Sequence, residues 1–92
     1  LPVVKFSDVD DAIKRANSSD FGLGASVWSS DLAKAQTIAE QLDSGTVWIN
    51  KHLDFGPHIP FPPAKQSGIG VEWGKEGVME FTAMKVININ KQ

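Results

Sequence analysis

The sequence predicts an α/β fold: a βαβαβ parallel-sheet fragment, then a long loop, a short helix and a C-terminal strand of the oligomerisation type. Three observations carry this. Short apolar runs at residues 1–6, 21–28 and 46–49 alternate with two segments of helical periodicity. The connections between them are short, which makes a parallel sheet with right-handed crossovers the default. A stretch rich in aromatic residues, prolines and glycines, residues 50–70, then separates the third apolar run from the C-terminal helix and strand.

Each element has a local justification. Residues 1–6 read as a short buried strand, with Pro2 tolerable only near its start. Ser7 offers a helix N-cap, with Asp10 three positions on. Asp8, Asp10 and Asp11 at the helix start and Lys14 and Arg15 at its end both suit the helix dipole. Val9, Ala12, Ile13 and Ala16 recur on one face. In residues 21–28, Phe21, Leu23, Ala25 and Val27 alternate with Gly22, Gly24, Ser26 and Trp28. Glycines weaken a strand but let another backbone come close. Ser29, Ser30 and Asp31 cap a second helix whose buried stripe is Leu32, Ala35, Ala39 and Leu42, and Gly45 stands where a helix C′ residue belongs. Thr46, Val47, Trp48 and Ile49 make the third strand. After the loop, residues 74–82 form a short amphipathic helix anchored by Val78 and Phe81. Residues 84–90 then close as a strand, with Met84 and Val86 on one face, Ile87 and Ile89 on the other, and Asn90 at its end. That strand either pairs within its own domain or seeks a partner chain.

Totals narrow the function classes. The 92 residues allow one small domain. A composition of 41% hydrophobic and 22% charged residues with net charge −2, and scattered Lys and Arg, lacks the basic footprint of nucleic-acid binding. There are no cysteines, so disulfides, thiolate metal sites and a cysteine nucleophile are absent from this chain. No apolar run approaches the roughly 20 residues that span a bilayer, and no secretory leader pattern is present, so a cytoplasmic location is expected. The chain opens on Leu1, Pro2, Val3 and Val4, inside an apolar run. Three strands and two helices cannot cover both faces of a parallel sheet. Both features lead us to expect a piece of something longer.

Residues 50–70 are the first place to look for function. A long irregular loop in a compact domain is uncommon and usually functional, and open parallel sheets bind ligands beyond the carboxyl ends of their strands. Leu53, Phe55, Ile59 and Phe61 supply apolar side chains where polar ones are usual. They line a pocket or pack beneath the loop, and both readings stand. His52 and His58 lack the company a metal site needs. The string Gly68, Gly70, Gly74 has the wrong spacing for a dinucleotide fingerprint and suits tight turning instead.

Taken together, residues 21–28 (FGLGASVW), 45–50 (GTVWIN), Pro60–Phe61, 65–68 (KQSG) and the helix 76–82 (EGVMEFT) resemble the C-terminal part of the NAD(P)-dependent aldehyde dehydrogenases. The resemblance covers essentially the whole chain in order. It implies residues 1–82 as the end of a catalytic domain and 83–92 as a C-terminal oligomerisation strand. In that family a cysteine attacks the aldehyde, hydride passes to the nicotinamide and a glutamate activates water. The resemblance implies that those parts lie elsewhere in a longer subunit, so the isolated chain should be inactive and should bind no cofactor, with NAD or NADP used by the intact enzyme. By motif position, Leu53, Phe55 and Phe61 correspond to family residues lining the aldehyde tunnel. The implied partners are the rest of the subunit and further copies, docked through residues 84–90. A stand-alone interaction module working through the same residues is the alternative. One departure is plain: the family pattern carries Gly-Gly after Pro-Phe, and this chain carries Pro62 and Pro63. Proline fixes φ and removes the N–H, so either the loop is reshaped here or the sequence is altered at this point.

Overall fold

The computed structural model describes residues 1–91, and its elements run α1 (Val9–Asn17), β1 (Phe21–Gly22), β2 (Gly24–Val27), α2 (Leu32–Ala39), β3 (Thr46–Ile49), β4 (Ala64–Lys65) and α3 (Gly74–Met79). Two small sheets result. β2 and β3 pair in parallel, Gly24 opposite Thr46 through Val27 opposite Ile49. β1 and β4 pair antiparallel, Phe21 opposite Lys65 and Gly22 opposite Ala64. The centre of the fold is the β2–α2–β3 unit, with α2 packed on both strands.

Alternation along the parallel pair separates two faces. Ala25 and Val27 share a cleft of about 540 Å³ with Phe6, Ile13, Ile38 and Leu42, so α1 and α2 lie over this side. Trp48 belongs to the other side, and its indole lies so close to Gly24 that a Cβ there would stand 2.8 Å from the ring. Among the described residues the buried apolar side chains are Ile13, Ala35 and Trp48, one from each of α1, α2 and β3.

Several expectations need correcting. Residues 1–6 are not a strand, and Leu1, Val3, Val4 and Phe6 are exposed; a short apolar run becomes a strand only where a ladder partner stands beside it. The βαβαβ unit is therefore reduced to βαβ preceded by a helix. The run 21–28 breaks at Leu23, because its first half pairs with β4 and its second with β3. Residues 84–90 are not a strand either; Met84, Val86, Ile87 and Ile89 are exposed. Gln92, the last residue of the expected 83–92 segment, lies outside the described residues. At the helix starts, Asp8 rather than Ser7 caps α1, accepting from the Asp10 N–H, and Asp31 caps α2, accepting from the Lys34 N–H. In the two stripes Ile13 and Ala35 are buried, while Ala16 and Leu32 are exposed.

Candidate functional site

The long loop is tied at every limb. It leaves β3 at Asn50, whose φ of 54° lies in the left-handed region that asparagine tolerates. The Asn50 side chain accepts from the Ser29 N–H and donates to the Ser29 carbonyl, both at 2.8 Å, which pins the exit of β3 to the end of β2. The chain then folds back: Trp48 Nε1 donates to the Asp54 carbonyl at 3.0 Å. Phe61 and Glu72 exchange two backbone hydrogen bonds, and the Gly74 N–H reaches the Pro57 carbonyl at 3.0 Å. The far limb is moored to the first half of the chain. Lys65 Nζ donates at 2.9 Å to the carbonyls of Asn17, the last residue of α1, and Ser19, just beyond it, and sits 3.4 Å from the Asp43 carboxylate. The Gly22 N–H donates to Ser67 Oγ at 2.9 Å.

Pro62 and Pro63 fit this path without loss. Phe61 gives its N–H to Glu72 and Ala64 pairs with Gly22, so the two residues lacking N–H groups fall between the bonded positions. Both peptide bonds are trans. The Pro62 carbonyl passes so close to Gly45 that a Cβ at Gly45 would overlap it. Close approach, rather than helix termination, is what requires glycine there, since α2 ends at Ala39.

The aromatic residues of the loop gather on Trp48. Phe55 meets Trp48 edge-on at 5.5 Å between ring centroids and Phe61 edge-on at 4.9 Å, and His52 meets Trp48 edge-on at 5.3 Å. These are the separations and tilts that aromatic quadrupoles favour. Trp73, from the segment before α3, completes the group at 5.4 Å from Phe55 and 6.0 Å from Phe61. Trp48 is 5% exposed and anchors the cluster, whereas Phe55, 42% exposed, presents part of its ring outward. Phe61 also lines a cavity of about 230 Å³ with Leu23, Pro63 and Ile69. Of the three residues singled out from the sequence, Phe55 and Phe61 are brought together. Leu53 is 61% exposed, with φ 55°, and does not belong to the ring cluster. Sequence reasoning missed Trp48 as the anchor, because it read as one core residue of a strand. It missed Trp73 because the surrounding glycines read as a turn.

The chemistry this surface offers is apolar and aromatic packing. Among the described residues no three His, Cys, Asp or Glu side chains converge to hold a metal ion. No helix among them is long and apolar enough to cross a membrane.

Comparison with known proteins identifies the lineage. The sequence pattern of the Aldehyde dehydrogenase family matches residues 1–87. The chain is 42% identical over 85 residues to aldehyde dehydrogenase, cytosolic 1, of Rattus norvegicus, covering 92% of this chain and 17% of that protein. Among solved structures, an NAD-dependent aldehyde dehydrogenase of Sinorhizobium meliloti superposes with a TM-score of 0.84 at 38% identity, over 89% of this chain and 16% of that one. Betaine aldehyde dehydrogenase of Staphylococcus aureus, in complex with NAD+, gives 0.80 at 46% identity, over 83% and 15%. The chain thus spans less than a fifth of the length of the relatives it matches, and it belongs to the aldehyde dehydrogenase family.

Proposed function

We propose that this chain works as the C-terminal segment of an NAD(P)-dependent aldehyde dehydrogenase subunit, which oxidises an aldehyde to a carboxylic acid. Residues 1–82 close the catalytic domain, and residues 83–92 contact another subunit. Within it, Leu53, Phe55 and Phe61 form part of the wall of the aldehyde tunnel. The observation that carries this reading is the tied aromatic loop: Phe55 meets the buried Trp48 and Phe61 edge-on near the carboxyl end of β3, and Phe55 stays 42% exposed. An apolar wall of that kind selects the side group of an uncharged aldehyde.

The rest of the reaction belongs to other parts of the subunit. With no cysteine in its sequence, this chain supplies no thiolate nucleophile. Nor do its residues fit a dinucleotide: Gly68, Gly70 and Gly74 come after the antiparallel β4 and lead into a six-residue helix, whereas pyrophosphate sites join a parallel strand to a longer helix through a tighter glycine spacing. NAD or NADP is therefore assigned to the rest of the intact subunit; the Staphylococcus aureus relative is itself known in complex with NAD+. A cytoplasmic site of action goes with this assignment.

The test is made on the intact subunit. Phe55→Ala and Phe61→Ala should each change kcat/KM among aldehydes by about tenfold, with the KM for nucleotide unchanged. Altered nucleotide affinity with aldehyde preference intact would refute the assignment.

A further inference from the structure

Trp73 is held in a backbone conformation that a tryptophan rarely adopts. Its φ of 59° and ψ of 179° fall in a region almost reserved for glycine, and such strain persists only where the surroundings enforce it. The enforcement is visible on both sides. Glu72, immediately before it, is bonded twice to Phe61; Gly74, immediately after it, donates to the Pro57 carbonyl. The Trp73 carbonyl accepts from the Gly77 N–H at 2.8 Å. The result is an indole aimed at the loop, tilted against Phe55 and Phe61, and still 41% exposed.

Neither packing nor turning explains this side chain. A turn at this place is served better by glycine, which meets the same φ without strain. A residue of this chain's own core would be covered, and Trp73 is 41% exposed. The conformation produces an aromatic surface continuous with those of Phe55 and Phe61.

We propose that Trp73 is a specificity-determining residue: its indole extends the wall formed by Phe55 and Phe61, and the aldehyde's side group packs against it. Bulky planar side groups gain most from such a surface, because stacking requires area. The inference rests on the reading of the loop as an aldehyde wall, and the experiment separates the two. In the intact subunit, kcat/KM is measured for benzaldehyde and for propanal in Trp73→Gly, Trp73→Phe and Phe55→Ala, with the KM for nucleotide measured alongside. Glycine suits the backbone at this position, so Trp73→Gly removes the ring without adding strain. It should lower the benzaldehyde-to-propanal ratio about tenfold and leave the nucleotide KM unchanged, and Trp73→Phe should keep the ratio near that of the parent. A ratio unmoved in Trp73→Gly but shifted in Phe55→Ala would overturn the role of Trp73 alone. A ratio unmoved in both would overturn it together with the wall.

Discussion

Gly45 shows at the scale of one residue how closely the loop returns to the sheet. Its N–H donates to the Gly22 carbonyl at 2.9 Å, and its missing side chain makes room for the Pro62 carbonyl. Gly45→Ala should therefore push the far limb of the loop off β3. Overpacking of this kind costs about 3 kcal/mol when backbone must move. We expect a lower thermal midpoint for the intact subunit carrying this substitution, together with a raised KM for aldehyde. An unchanged midpoint would show that the proline limb yields freely. Lys65 is the complementary case, a side chain whose value lies in what it reaches. With φ 52° it lies in the left-handed region, and its ammonium satisfies two carbonyls left over at the end of α1, those of Asn17 and Ser19.

At the scale of elements, local patterns were legible and pairing was not. Both helices over Val9–Asn17 and Leu32–Ala39 follow from their spacing, although α1 is capped by Asp8 and not by the expected Ser7. The parallel pair follows from two apolar runs joined by a helix. The antiparallel pairing of Phe21 and Gly22 with β4 was hidden, because Ala64 and Lys65 carry no strand pattern of their own. The aromatic residues of the loop were visible as a composition. Their convergence on Trp48 depends on backbone ties such as Phe61 to Glu72 that no periodicity announces. Residues 1–6 and 84–90 illustrate the opposite failure: sequence alone marks a strand by its side chains, but a strand exists only with a partner. Met84, Val86, Ile87 and Ile89 remain exposed, which supports a partner chain as their cover. Removing residues 84–92 from the intact subunit should convert an oligomer to monomers in light scattering, and an unaltered mass would refute that role.

At the scale of the whole molecule, the described residues are extended rather than compact. Its radius of gyration is 18.3 Å, against about 12 Å for a compact chain of this length. Large apolar side chains stand exposed at both ends, from Leu1, Val3 and Val4 to Phe81, Met84 and Val86, which supports the proposed contacts with the rest of the subunit. With no cysteine in its sequence and no dinucleotide-type glycine turn among the described residues, the isolated chain should produce no reduced nucleotide from aldehyde and NAD or NADP, read by absorbance at the nicotinamide band. Sustained turnover proportional to chain concentration would overturn the division of labour proposed above.

A chain with this much apolar surface is exposed to a hazard before it meets its neighbours, and Pro62 and Pro63 bear on it. Just before β4 they remove two successive backbone donors, so a stray strand approaching that edge meets an interrupted ladder. Natural sheets use proline in this way to discourage edge-to-edge association. The same two residues that let the loop pass Gly45 without wasting a hydrogen bond thus also leave the approach to β4 without donors for a stray strand.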